Sequence, residues 1–142
     1  MASHGVAKRE ELGQLLADSD AVLLHAELTP ETAGIIGHDA LRHLRQPSVL
    51  VNAARGGLVD PSAVLAALDS GLLRGFASDV FSPEDPNRDP VTSELLKREN
   101  VIVTAHRAFL SAESEASLRR RIAEGIAHVL RTGGPPPYGR VA

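Results

Sequence analysis

The chain has 142 residues, which is enough for one modest domain with its own hydrophobic core. Hydrophobic residues make up 43% and aromatic residues only 3%, so the composition excludes a disordered chain and indicates a core of aliphatic side chains. The absence of cysteine excludes disulfides and thiolate sites, and the formal net charge of -3 gives no general attraction to nucleic acid or to anionic membranes.

Apolar runs and helical spacings alternate along the chain. In the first half they predict a helix over 9–18, a strand over 21–25, a turn over 29–32, a short helix over 35–44, a strand over 48–53 and a helix over 60–70. Asp60 is the expected N-cap of that last helix, and Pro61 takes its first position. The second half predicts a strand over 75–81, a loop over 82–90, one or two helical turns over 93–98, a strand over 100–104 and a long helix over 111–132.

Alternation of strands and helices at this short spacing predicts an α/β fold, a Rossmann-like parallel sheet of about four strands with flanking helices. Ligands of such sheets bind beyond the carboxyl ends of the strands. The residues that follow the four predicted strands are His25, the stretch 52–55, the stretch 79–84 and His106. They could form a ligand site or simply be solvated loop residues, and the pattern alone leaves both readings open.

Arg55 ends the most organised stretch of the sequence, in which an apolar strand leads to a glycine turn and a capped helix. From this stretch alone it is either a solvated loop residue or an anion clamp, because guanidinium binds a carboxylate through two parallel hydrogen bonds.

Four segments stand out, and they read D-A-V-L-L-H with L-T-P-E-T (20–32), V-N-A-A-R-G-G-L-V-D (51–60), S-D-V-F-S-P-E-D-P (78–86) and N-V-I-V-T-A-H-R-A (100–108). In this order they resemble the D-isomer-specific 2-hydroxy-acid dehydrogenase family. Arg55 and Glu84 are 29 residues apart and Glu84 and His106 are 22 apart, much as in the family. One of these motifs would be weak evidence, whereas four at family spacing are specific.

The resemblance implies a catalytic triplet of Arg55, Glu84 and His106. Arg55 would bind the substrate carboxylate, and His106 would donate a proton to the 2-oxo acid during reduction and accept it in the reverse direction. Glu84 would hydrogen-bond His106, orient it and favour its imidazolium form. Hydride addition places negative charge on the carbonyl oxygen, so the reaction needs a proton donor and a fixed cation at that atom.

The resemblance also implies a nicotinamide cofactor, NAD, with NADP possible, and a small 2-oxo or 2-hydroxy acid as substrate. Asp79 would hold the nicotinamide carboxamide. Other residues expected along the cofactor are His25, Thr29, Ala53, Ala54, Arg55 and His106. The chain departs from the family at Glu27, Ala53, Ala105 and the stretch 107–110, a variant closer to the branch with C-terminal-binding-protein-like and lactate-type members.

The family's G-x-G-x-x-G turn and the acidic residue that reads the ribose do not occur in this sequence and would lie upstream. We therefore expect a truncated or split form, with a lead-in at 1–7, a partial NAD-binding domain over 8–134 (the second half of the dinucleotide-binding fold) and a tail over 135–142 that crosses toward an absent substrate domain. The first strand would then leave an unpaired edge, which a homodimer or a complementing N-terminal half could cover.

Two rival interpretations stay open beside the dehydrogenase. One is a non-catalytic NAD-binding or dimerisation module, and the other is an inactive fragment. Arginines at 119–121 beside glutamates indicate a solvated helix face more than a nucleic-acid site, and the histidines lack metal-ligand spacing. No signal peptide or long apolar stretch occurs, so we expect a cytoplasmic protein with no membrane contact.

Overall fold

The computed structural model describes residues 7–45, 47–107 and 109–136. The chain divides into two compact units between His106 and Arg107. The predicted lead-in, apart from residue 7, and the predicted tail beyond residue 136 lie outside the described residues. The predicted boundaries of the 8–134 domain remain predictions.

The first unit is built on four parallel strands in the order β1-β2-β3-β4, which are β1 (Ala21–Leu24), β2 (Ser48–Asn52), β3 (Leu73–Ser78) and β4 (Val101–Val103). This confirms the predicted Rossmann-like parallel sheet. Parallel crossovers are right-handed, so strands taken in sequential order bring their connecting segments to the same face. Asn52 pairs in register with Ser78, so β2 and β3 end level with each other.

Four helices accompany the sheet, α1 (Leu12–Ala17), α2 (His38–Leu41), α3 (Pro61–Asp69) and α4 (Pro90–Leu95). Alternate strand residues such as Val22, Leu50 and Phe76 join helix residues such as Leu16 and Val64 in one buried aliphatic core. The other sheet face is more open, because Leu23 of β1 is 59% exposed and Ile102 of β4 is 69% exposed. The unpaired edge predicted at β1 is therefore accompanied by exposed apolar side chains.

Element boundaries differ from the predictions at β3 and α4. The third strand begins at Leu73 rather than at residue 75 and ends at Ser78 rather than at residue 81. The helical turns predicted from residue 93 begin at Pro90, because the Asp89 carboxylate accepts a hydrogen bond from the Thr92 backbone N–H and caps α4.

The second unit is dominated by α5 (Ala112–Thr132), as predicted. Ser111 and Ser114 form a reciprocal capping box at its start, and Gly133 ends it with φ 67°, a left-handed conformation that suits glycine. None of the helices among the described residues is long and apolar enough to cross a membrane.

Candidate active site

The turn after β2 is fixed by a buried asparagine. Asn52 is 1% exposed, and its Nδ2 donates a hydrogen bond to the Arg55 carbonyl oxygen at 3.0 Å. Its Oδ1 accepts one from the Ala54 backbone N–H at 3.1 Å. A single side chain therefore holds both sides of the turn that carries Ala53, Ala54 and Arg55.

The same turn is packed against the loop that follows β3. Arg55 precedes a short 3-10 turn over Gly56–Leu58. A Cβ at Gly56 would lie 2.5 Å from the backbone nitrogen of Ser82 and closer still to the carbonyl group of Phe81, where no side chain fits. Glycine at position 56 is thus required by this close approach of two backbones.

The Arg55 side chain itself is exposed and available to a ligand. Its Nη1 donates to the Ala54 carbonyl oxygen at 2.7 Å, which uses one of five guanidinium N–H donors. With Ala54, Glu27 and Leu28 it lines a cavity of about 500 Å³. The cavity opens where the chain leaves β1 and β2, in the region expected to bind a ligand.

Asp79 follows β3 and is fixed through its backbone and its side chain. Its N–H donates to the Asn52 carbonyl oxygen at 3.0 Å, and its carboxylate accepts a hydrogen bond from the Thr104 hydroxyl. Asp79 is only 7% exposed. Asp79 is therefore held from both sides of β3, through its main chain by Asn52 at the end of β2 and through its carboxylate by Thr104 after β4.

His106 and Glu84 form a pair just beyond the ends of β4 and β3. His106 Nδ1 lies 3.9 Å from Glu84 Oε1, within ion-pair reach but longer than a hydrogen bond. Their side chains are 50% and 88% exposed, respectively. His106 has φ 54°, a left-handed conformation that is uncommon outside glycine and concentrated at functional sites.

One cavity of about 570 Å³ joins these groups. Asp79, Glu84, Thr104 and His106 contribute to its polar lining, and the remaining lining residues are Phe81, Asp85, Pro86, Leu96, Val103 and Ala105. Three residues that the sequence singled out, Asp79, Glu84 and His106, thus lie around one space. This arrangement can offer a proton donor or acceptor beside a buried carboxylate.

The remaining predicted site residues are placed differently. Arg55 and Ala54 line the other cavity, while His25 and Ala53 are exposed and line neither of the two. Thr29 is half-buried in a turn, where its backbone N–H donates to the Thr32 hydroxyl at 2.8 Å. Their roles toward a cofactor stay predictions.

Sequence reasoning placed Asn52 in the candidate stretch 52–55 and Gly56 in a glycine turn without predicting their contacts, and it assigned no role to Thr104. An asparagine at the end of an apolar strand is a usable signal, because a buried amide is costly unless it is hydrogen-bonded. Gly56 and Thr104 give no such signal, since their partners are remote in sequence.

Clear pKa shifts occur at carboxylates that cap helices. The Ser62 hydroxyl, which donates to Asp60 Oδ1 at 2.7 Å, lowers the pKa of Asp60, and the backbone N–H groups at the start of α3 add to this. The Thr92 hydroxyl likewise lowers the pKa of Asp89 at the start of α4. Groups of three or more potential metal-binding side chains do not occur among the described residues.

The chain is similar to proteins of one family. A sequence model of the D-isomer specific 2-hydroxyacid dehydrogenase NAD binding domain matches residues 1–108. The glyoxylate reductase of Korarchaeum cryptofilum is 40% identical over 126 residues, which is 88% of this chain and 37% of that protein.

Solved structures that resemble this chain belong to the same family. The D-isomer specific 2-hydroxyacid dehydrogenase of Lactobacillus delbrueckii ssp. bulgaricus, in its NAD complexed form, has a TM-score of 0.78 and 30% identity, and the match covers 88% of this chain and 40% of that one. The enzyme of that class from Xanthobacter autotrophicus Py2, in complex with NADPH and MES, has a TM-score of 0.72 and 36% identity, covering 89% and 50%. The chain therefore spans half or less of the length of these proteins.

Proposed function

This chain belongs to the D-isomer specific 2-hydroxyacid dehydrogenase family, and we propose that it supplies the acid–base and carboxylate-binding residues that interconvert a D-2-hydroxy acid and its 2-oxo acid. The observation that carries the proposal is the His106–Glu84 pair, 3.9 Å apart, on the wall of a cavity that Asp79 also lines. Nucleophile chemistry by cysteine is excluded by composition.

His106 is the proposed proton donor. Reduction of a 2-oxo acid places negative charge on the carbonyl oxygen, and an imidazolium beside that oxygen can supply the proton as the charge develops. In oxidation the neutral ring accepts the hydroxyl proton. Glu84 is the proposed orienting residue for this ring, and the 3.9 Å between Glu84 Oε1 and His106 Nδ1 can shorten when a ligand fills the cavity, as catalytic hydrogen bonds commonly do.

Arg55 is the proposed substrate anchor. Its guanidinium is exposed and has donors beyond the one bound to Ala54, so it can take a carboxylate through two parallel hydrogen bonds. Lysine would not reproduce this geometry, since its ammonium is a point charge. The turn held by Asn52 fixes where the arginine side chain starts.

The residues around Asp79 fit the nicotinamide end of the cofactor. A carboxylate accepts hydrogen bonds, as Asp79 does from the Thr104 hydroxyl, and acceptors of this kind match the N–H groups of a carboxamide. The dinucleotide supplies the hydride when bound. His25, Thr29, Ala53 and Ala54 are proposed to line it. Relatives complexed with NAD and with NADPH are both known, and both cofactors are candidates for this chain.

The first experiment is a fluorescence titration of the purified chain with NADH, followed by oxamate, a carboxylate analogue of a 2-oxo acid, at saturating NADH. Saturable binding of both compounds is expected. Light scattering on the same sample tests the proposed homodimer, and fractionation of the source cells tests the proposed cytoplasmic location. NADH binding without any response to oxamate would favour a non-catalytic NAD-binding module.

Turnover is tested in a chimera in which this chain replaces its matching segment in the Korarchaeum glyoxylate reductase. With glyoxylate and NADH, His106→Gln should lower turnover by ~10²–10⁴-fold, because removing a general acid has that effect. The matched control is His43→Gln, an exposed histidine that lines neither cavity. Near-normal turnover by the His106 variant would contradict the assignment.

A further inference from the structure

We propose that Asn52 is a positioning residue, which sets the place of Arg55 for carboxylate binding and ties it to Asp79. The consequence for ligand binding rests on the proposed function, whereas the consequence for the order of the turn does not. Asn52 is distinct from the residues proposed to touch substrate or cofactor.

The first argument is the geometry of its side chain. Nδ2 donates to the Arg55 carbonyl oxygen and Oδ1 accepts from the Ala54 N–H, at 3.0 and 3.1 Å. The Arg55 carbonyl belongs to the peptide unit that follows the Arg55 Cα, and the Ala54 N–H belongs to the unit that precedes the Ala54 Cα, so the two contacts enclose the backbone that carries the Arg55 side chain. A shift of the carboxamide therefore moves the point from which the guanidinium extends.

The second argument is the backbone of the same residue. The Asn52 carbonyl oxygen accepts a hydrogen bond from the Asp79 N–H at 3.0 Å and lies 3.5 Å from the Ser78 hydroxyl. Asn52 thus fixes Arg55 through its side chain and Asp79 through its main chain. Asn52 therefore links the proposed carboxylate anchor to the proposed carboxamide anchor, whose carboxylate is also held by Thr104.

The third argument is chemical. The position needs one donor and one acceptor held in a plane, in a place that is 1% exposed. Alanine supplies neither group and leaves two backbone groups to find other partners. Aspartate has nearly the same shape, but as a carboxylate it can only accept, so it repels the Arg55 carbonyl oxygen; as a carboxylic acid it can also donate.

The test uses the ¹⁵N-labelled 142-residue chain without ligand, as wild type, Asn52→Ala, Asn52→Asp and Ser78→Ala. Ser78 is the matched control, since it is buried, polar and in register with Asn52 on β3. Its hydroxyl donates to the Val80 carbonyl oxygen and lies 3.5 Å from the Asn52 carbonyl oxygen, so it contacts the main chain of Asn52 and not the carboxamide that holds the Arg55 turn. Backbone order parameters of Ala54 and Arg55 are measured, and oxamate affinity is measured at saturating NADH.

We expect Asn52→Ala to lower the order parameter of Arg55 from about 0.85 to below about 0.6 and to weaken oxamate at least about tenfold, with NADH affinity changed less. Ser78→Ala should change neither the order parameter of Arg55 nor the affinity for oxamate. In Asn52→Asp, the order of Arg55 should rise as pH falls from about 7 to about 4 and the carboxyl group becomes a donor, a response that wild type lacks.

The proposal is overturned if Asn52→Ala folds and its Arg55 order parameter is unchanged. It is also overturned if Ser78→Ala lowers the Arg55 order parameter as much as Asn52→Ala does. If Asn52→Ala does not fold, the pH response of Asn52→Asp decides, and its absence overturns the proposal. If wild type binds no oxamate while the order parameters behave as expected, the function proposed for Arg55 fails and the positioning role of Asn52 stands.

Discussion

The close approach of the Arg55 turn to the loop after β3 makes Gly56→Ala the most informative stability test. The added Cβ would lie 2.5 Å from Ser82 N and closer still to the Phe81 carbonyl group, whereas ordinary contacts begin at 3.4 Å, so one backbone must move by at least about 1 Å. Both partners are main-chain atoms, which cannot rotate away as a side chain does. The displaced segment leads directly to Glu84.

The matched control is the neighbouring residue. A Cβ at Gly57 would meet only the ends of the Leu28 side chain, at 3.0 and 3.3 Å. Leu28 is 42% exposed, so it can turn into solvent. Both substitutions add the same methyl group and lower the entropy of the unfolded chain equally, by about 0.4–1 kcal/mol in favour of folding.

Overpacking against backbone costs about 1–3 kcal/mol and occasionally more. We expect Gly56→Ala to lower the free energy of unfolding by about 2 kcal/mol or more, and Gly57→Ala to change it by less than about 1 kcal/mol. Urea denaturation followed by circular dichroism measures both, and equal m-values show that the comparison is valid. A Gly56 variant as stable as wild type, or equal losses at both positions, would refute the close approach.

Three further predictions concern the core, the helix caps and the open sheet face. Leu50→Ala should lower the free energy of unfolding by about 2–5 kcal/mol in the same urea assay, because Leu50 is 1% exposed at the centre of the core. The folded-state pKa of Asp60 is lowered, so the stability that its carboxylate contributes is present above the unfolded pKa of about 3.9 and is lost as the pH falls through the folded value. Asp60→Asn still caps α3 but does not titrate. Thermal melts at a series of pH values should therefore show a smaller fall in melting temperature at low pH for this variant than for wild type. Ile102→Ser should leave the melting temperature within a few degrees of wild type and reduce light scattering at high concentration, because the side chain is 69% exposed; a large loss of stability would mean that Ile102 is buried in solution.

Much of the fold could be predicted because its signals are local. The apolar run before Asn52 and the Asp60–Pro61 pair define β2 and the start of α3 by residue type alone, and the structure shows the expected cap. Asp89–Pro90 is the same signal at the start of α4, yet the surrounding prolines and acidic residues favoured a loop. The sequence therefore contained the signal for the cap, but the loop-forming residues around it outweighed that signal.

The limits of β3 could not be predicted, because pairing decides them. Arg74 interrupts the apolar run, so the sequence favoured a start at residue 75. In the structure Leu73 pairs with Ser48 and Gly75 with Val49, with an irregularity in register between them. Partners on β2 thus override weak strand propensity, as is common for central strands.

The candidate site divides in the same way. The resemblance pointed to Asp79, Glu84 and His106 from motif spacing, and the structure places all three around one cavity. The side-chain partners of Asn52 are local, Ala54 and Arg55, but the burial of Asn52 depends on the packing of the sheet. The contact of Gly56 depends on where two separate loops meet, and no spacing encodes it. Contacts of this kind can be identified only when the three-dimensional structure of the sheet and its loops is known.

The two parts of the proposed chemistry are held with different rigidity. Arg55 and Asp79 are attached to the sheet through Asn52, which is buried and hydrogen-bonded through both its side chain and its main chain. His106 and Glu84 lie beyond the strand ends, exposed and 3.9 Å apart. A ligand that fills the cavity excludes water and strengthens the attraction between an imidazolium and a carboxylate. Substrate binding is thus expected to depend on the preformed anchors, whereas proton transfer depends on a pair that the ligand itself brings closer.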